Sequence, residues 1–179
     1  MNKKVLVISS SLRKTSNSDM LAESFANGAR EAGNEVEKIS LLGKTIGFCT
    51  GCMGCAKTAK CVIKDDAFDI EQKMEQADVL VFASPIYYYE MCGQLKTMLD
   101  RGNPLYFADY KFRDVYFLST AAEDEETTPQ RALSGIEGWI ECFPKARLAG
   151  SVFAGGVNAQ GEINGHSALD TAYEMGKNI

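Results

Sequence analysis

No apolar run in this sequence approaches the roughly 18–20 residues that a membrane-spanning helix needs, and no cluster of Lys and Arg interrupts it. The first absence argues against a membrane protein. The second argues against a nucleic-acid surface, which needs a basic stripe to displace phosphate counterions; the net charge is instead −5. The opening MNKKVLVISSS carries only the short apolar run VLVI, well short of a signal-peptide core of about 7–15 residues. A cytoplasmic protein is expected. Histidine is nearly missing too. His166 is the single one, in an NGHS turn that suits a helix start or a surface position better than general-base catalysis. Repeats, low-complexity tracts and linkers are also lacking, so residues 1–179 are expected to form one domain.

What is present alternates regularly. Four short runs, KVLVIS (4–9), DVLVFAS (78–84), DVYFLST (114–120) and LAGSVFAG (148–155), are continuously apolar and rich in β-branched or aromatic residues. Such runs suit parallel strands covered on both faces. EVEKISL (35–41) instead alternates Val36, Ile39 and Leu41 with charge, as an edge strand would. Helical patterns lie between and after these runs, over 16–33, 65–77, 93–102, 128–143 and 167–179. The first carries Leu21, Phe25, Ala29 and Ala32 on one stripe and stops at Gly33; in the fourth, Pro129 suits a first helical position. Five strand–helix units predict an α/β fold: a flavodoxin-like, doubly wound, five-stranded parallel sheet with helices on both faces.

Ligands of open α/β sheets sit where strand ends meet helix N-termini. The first such loop, SSSLRKTSNS (9–18), is neither a Gly-rich dinucleotide turn nor a Walker loop. Its hydroxyls, its Asn and its two cations immediately precede a helix and suit a terminal phosphate, although a Ser-rich turn can equally just cap the helix. A unit charge such as that of Arg13 at ~4 Å from a phosphate, with a dielectric near 20, gains about 4 kcal/mol before desolvation. The second loop, SPIYYYEMCGQLK (84–96), puts three consecutive tyrosines after a buried strand. Two can pack on the fold while a third offers a flat face to an aromatic ligand, or the group can form a subunit contact.

The stretch SSSLRKTSNSDML resembles the phosphate loop of the NADPH-dependent FMN reductase family, and ADVLVFASPIYYYEMCGQLKTMLDR resembles its second signature, S-P-x-Y followed by a helix with G-x-L-K that ends in D-R. The resemblance implies that Ser11, Arg13, Ser16, Asn17 and Ser18 hold the FMN phosphate. It further implies that Pro85, Ile86, Tyr87 and Tyr88 line the flavin ring, with Thr120 and Ala121 near the ring's polar edge. The sequence departs from the pattern at Ser10, where a glycine is usual, and in a third loop, STAAEDEE, without the usual glycines.

Four of the six cysteines fall within FCTGCMGCAKTAKC (48–61). In a reducing compartment such clustering points to metal or redox chemistry rather than structural disulfides. The segment is similar to that of the iron–sulfur flavoprotein branch, which implies Cys49, Cys52, Cys55 and Cys61 as ligands of a four-iron four-sulfur cluster. A cubane needs four thiolates on a turning backbone, which Gly51 and Gly54 allow. Ordinary loop thiols and a Cys₄ zinc site are the alternatives, the latter usually built from two separated C-x-x-C knuckles. Cys92 and Cys142 read as small buried hydrophobes, Trp139 as core or subunit contact, and the EDEE tract (123–126) as a solvated loop.

The expected function is that of an FMN-dependent oxidoreductase carrying electrons from NADPH or NADH to a small-molecule or protein acceptor. An iron–sulfur flavoprotein acting as an electron carrier is the second reading, and a zinc-stabilised binding module without flavin the third. A homodimer or homotetramer with flavin near the interface is expected from the resemblance.

Overall fold

The computed structural model describes residues 2–179. The chain runs β1 (Lys4–Ser9), α1 (Asn17–Glu31), β2 (Glu35–Ser40), α2 (Cys55–Thr58), α3 (Asp66–Gln76), β3 (Val79–Tyr87), β4 (Glu90–Met91), α4 (Gly93–Arg101), a 3-10 turn (Asn103–Phe107), β5 (Asp114–Thr120), α5 (Gln130–Glu141), β6 (Arg147–Ala154) and α6 (Ser167–Lys177). The long strands form one parallel sheet in the order β2-β1-β3-β5-β6. Six strands are present rather than the five expected, because the two residues of β4 fold back antiparallel on the end of β3. So short a strand leaves no periodicity in the sequence. Among the described residues no helix is long and apolar enough to cross a membrane.

Successive side chains of a strand point to opposite faces, so the continuous apolar runs feed two cores. Leu6, Ile8, Leu80, Phe82, Val115 and Phe117 face α3, α4 and α5. Val5, Val7, Val79, Val81, Tyr116 and Leu118 face α1 and α6. The alternation in β2 did mark an edge. The other edge is β6, whose continuous apolar run suggested cover on both faces; only its end, Val152 and Ala154, is buried. Its low polarity reflects small residues rather than burial.

Local signals explain the helix boundaries. Ser16 caps α1 by accepting from the Asp19 N–H at 3.1 Å, and Asp65 caps α3 through Ala67 N–H at 3.1 Å. His166 caps α6, its Nδ1 accepting from Ala168 N–H at 3.0 Å, as its turn position suggested. Pro129 sits one position earlier than expected, as the N-cap of α5. Helices α1 and α6 meet through Gly28 and Gly176, where an added Cβ would come within 2.0 Å and 2.1 Å of facing carbonyl oxygens.

The chain leaves β1 towards β2 on one side and resumes at β3 on the other, so the loops after β1 and β3 part and open a crevice at their carboxyl ends. Beyond it, Tyr88 and Tyr89 turn β3 into β4 with φ of 52° and 67°. Two left-handed residues between paired strands are usually Asn and Gly, and each such L-residue costs roughly 1–2 kcal/mol. Replacing the pair by Tyr88→Asn with Tyr89→Gly is therefore predicted to stabilise the protein by about 1–3 kcal/mol. A urea titration that shows no gain, or a loss, contradicts this account of the turn.

Candidate functional site

The cleft at the parted strand ends is lined by Ser11, Arg13, Ser16, Asn17 and Ser18 from the first loop, Pro85, Ile86 and Tyr87 from the second, and Thr120 with Ala121 and Ala122 from the third. Three stretches far apart in sequence are thus brought together by the sheet. Tyr88 stands outside this lining, 97% exposed at the hairpin tip. None of the three tyrosines is buried in the core, because the turn carries all of them past the last covered position of β3.

The cleft floor is hydroxyl-rich. Ser11, Ser16 and Ser18 are buried, at the N-terminus of the fifteen-residue α1. Helix N-termini favour anions through free N–H groups and the helix dipole. Ser10 is fixed against the sheet, with both its N–H and its Oγ donating to Ala83 O (3.0 and 2.7 Å). Cys92 is buried as expected, its Sγ 3.1 Å from Ser10 Oγ, and its N–H donates to Ser84 Oγ at 3.0 Å. These bonds tie the first and second loops into one wall.

A fourth wall escaped sequence reasoning. Val157, Asn158 and Gln160, from the loop after β6, complete the cleft. Arg13 Nη1 donates to Asn158 O at 2.9 Å. Asn17 Nδ2 donates to Ala159 O at 2.9 Å, while its Oδ1 accepts from Gly161 and Ile163 N–H (3.1 and 3.3 Å). Glu162 Oε2 closes the turn by accepting from Asn158 and Ala159 N–H (2.6 and 2.8 Å), which holds its carboxyl below the usual range. The polar, Gly-bearing VNAQGEINGH at the next strand end was the available signal.

The cysteine segment forms a second site. Residues 47–54 run without regular structure into α2, turning through positive φ at Gly51 and Met53, and Ala59 ends α2 at a further positive φ. Cys55 is buried, and its thiol is pushed up by burial and then by the charges of neighbouring Cys61, Cys49 and Cys52. Exposed Cys52 is drawn the other way by the Gly54 N–H and the Thr50 hydroxyl. Two side chains donate to the group: Asn103 Nδ2 to Cys49 Sγ and Arg101 Nη2 to Cys61 Sγ, both at 3.4 Å. Among the described residues no three His, Cys, Asp or Glu side chains are arranged to hold a metal ion. The sulfurs are neighbours, with donors already aimed at two of them. Cys142 is exposed at the end of α5, not buried as its helical pattern suggested, and shares a surface cleft with Cys49, Tyr106 and Trp139.

Arg101 anchors this segment. Its fully buried guanidinium donates to Asp65 (2.7 Å), Gly47 O (3.0 Å) and Ile63 O (3.3 Å). Burial raises Asp65, but Arg101 and the Gly47 N–H outweigh it and hold the carboxyl below its usual range. Glu71 is also buried, 3.6 Å from Arg101, and its Oε1 accepts no hydrogen bond. Burial pushes Glu71 up to about 7, with Arg101 opposing the rise only in part.

A raised carboxyl pKa means that the folded chain holds a proton the unfolded chain has released. The stability carried by Glu71 is present in full below its ordinary 4.5 and is lost as pH rises through about 7. The change amounts to about 3 kcal/mol at most. Glu71→Gln is predicted to remove most of this fall between pH 5 and pH 8, as read from urea midpoints. Parallel pH slopes for both proteins contradict the assignment.

The sequence pattern of the NADPH-dependent FMN reductases matches residues 3–135. An iron-sulfur flavoprotein of Methanocaldococcus jannaschii is 40% identical over 102 residues, 57% of this chain and 53% of that one. The chain thus spans about half the length of that relative. An iron-sulfur flavoprotein of Methanosarcina thermophila is 23% identical over 177 residues, 98% of this chain and 93% of its own. The NAD(P)H:quinone oxidoreductase structure from Methanothermobacter marburgensis superposes with a TM-score of 0.76 at 18% identity, covering 99% of this chain and 96% of that one, a likeness of fold. With the matched pattern spanning all three motif-bearing strand ends, the chain belongs to the NADPH-dependent FMN reductase family.

Proposed function

We propose that the protein is an FMN-dependent NAD(P)H oxidoreductase that also carries a four-iron four-sulfur cluster on Cys49, Cys52, Cys55 and Cys61. One observation carries the flavin reading: Ser11, Ser16 and Ser18 lie buried at the start of α1, in the same cleft as the flat wall of Pro85, Ile86 and Tyr87. The hydroxyls and the helix N-terminus would hold the phosphate. Arg13 lines the cleft with its arm pinned on Asn158 O, and a guanidinium has further N–H donors to offer. Pro85, Ile86 and Tyr87 would pack along the ring, and Thr120 with Ala121 would meet its polar edge. FMN, when bound, supplies the hydride and electron chemistry; the chain binds it, orients it and keeps water from one side.

Support for the cluster is of a different kind. Four thiols in one turning segment, two of them already accepting N–H bonds, match the donor chemistry of a Cys₄ cubane. Single zinc ions draw four sulfurs onto one point, whereas a cubane binds each thiolate at a separate corner. Relatives named iron-sulfur flavoprotein add weight. Electrons would pass from NAD(P)H through FMN to a small-molecule or protein acceptor. Exposed Phe48, Tyr88 and Leu12 would be covered in a homodimer or homotetramer.

Two measurements test the flavin assignment. Arg13→Ala is predicted to weaken FMN binding by about 1.5–3 kcal/mol, the scale of a hydrogen bond to a charged group, in a flavin-fluorescence titration. Unchanged affinity removes Arg13 from the site. Anaerobic mixing of the FMN-loaded protein with NADPH or NADH is predicted to bleach the flavin absorbance, and failure with both sinks the reductase reading.

A further inference from the structure

We propose that Arg101 and Asn103, flanking the junction between α4 and the 3-10 turn, are positioning residues of the cysteine centre, each polarising one sulfur: Arg101 that of Cys61, Asn103 that of Cys49. The inference rests on the cluster reading above and goes beyond it by naming what tunes the centre.

Two independent contacts carry it. Arg101 Nη2 and Asn103 Nδ2 each lie 3.4 Å from a sulfur, and these are the first and last cysteines of the set. Both donors come from one short stretch, Arg101-Gly102-Asn103, so a single junction between two helices addresses both ends of the segment. The surroundings differ. Arg101 is fully buried and donates further through Nη1 to Gly47 O and Asp65 and through Nη2 to Ile63 O, with Nε unpartnered, whereas Asn103 is exposed at the rim of the cleft that Cys49 and Trp139 share. Gly102 between them leaves little room: a Cβ there would meet Leu99 O at 3.0 Å.

Hydrogen bonds to cluster sulfurs and nearby positive charge favour the more negative, reduced state, and so raise the reduction potential. Arg101 supplies both effects. Asn103 supplies the hydrogen bond alone. The two substitutions should therefore move the potential in the same direction and by different amounts.

The experiment compares wild type, Arg101→Lys, Arg101→Met and Asn103→Leu, purified anaerobically with FMN. Iron and sulfide content, the spectrum of the reduced cluster and its midpoint potential are measured for each. Asn103→Leu is expected to keep its iron and become harder to reduce. Arg101→Met is expected to fall further, by at least a tenfold change in the reduction equilibrium, about 59 mV for one electron, or to lose iron outright. Arg101→Lys should restore part of the potential through its charge. Asn103 variants do not touch the buried clamp, so they report even where Arg101→Met fails to fold. Iron-replete Asn103→Leu and Arg101→Lys proteins with the wild-type potential overturn this inference while leaving the cluster intact. Iron-free wild-type protein overturns the cluster reading itself, and this inference with it.

Discussion

One buried cation organises the half of the molecule that carries the cysteines. Arg101 reaches Gly47 on one side of the cysteine segment and Cys61, Ile63 and Asp65 on the other. Asp65 in turn caps α3 and accepts from Gly47 N–H at 2.7 Å. The two ends of the excursion from Gly47 to Asp65 are therefore closed on a single guanidinium, and its helix, α4, begins beside the cleft wall at Cys92. A charge buried so fully persists only if paired, since removing one partner from such a pair costs about 3–5 kcal/mol. Asp65 meets that demand. Glu71, second nearest and without a hydrogen bond on Oε1, stays easily protonated.

The cleft at the strand ends depends on topology in the same way that the cysteine segment depends on Arg101. The chain adds β2 on one side of β1 and β3 on the other, which parts two loops, and a third and fourth close the sides. Backbone and hydroxyl contacts then stitch them together: Ser10 to Ala83, Cys92 to Ser84, Asn17 to the 159–163 turn. The Ser10 contact joins the ends of β1 and β3, the Asn17 contacts join those of β1 and β6, and the Cys92 contact braces the second loop, so the cleft is a property of the whole sheet rather than of any one motif. The cysteines lie on the face of that sheet covered by α3, α4 and α5, where Cys49 shares a cleft with Leu99 and Trp139. Both candidate centres therefore reach α4, one at each of its ends.

Much of this was legible beforehand, and the reasons can be named. Buried strands such as VLVI and VLVF announce themselves by continuous apolarity, and capping residues such as Ser16 and Asp65 by position. Ser11, Arg13, Ser16, Asn17 and Ser18 formed a recognisable loop, and the structure groups them with Pro85, Ile86, Tyr87, Thr120 and Ala121. Hidden from sequence were features set by long-range geometry. Asn158 and Gln160 matter only because β6 ends beside β5. Tyr88 turns outward because the hairpin ends the strand one residue earlier. Arg101 looks like the last charged residue of a surface helix until α3 and the cysteine segment close over it. Cys142 shows the converse, an apolar pattern whose last position falls at the exposed C-cap of α5.

The proposal that this chain holds two redox groups is tested most directly by the composition of the native protein. Anaerobically purified protein is predicted to contain one FMN, about four irons and about four sulfides per chain, as a single Cys₄-bound cubane requires. FMN present without iron or sulfide in such preparations would contradict the account and leave the four cysteines as ordinary loop thiols.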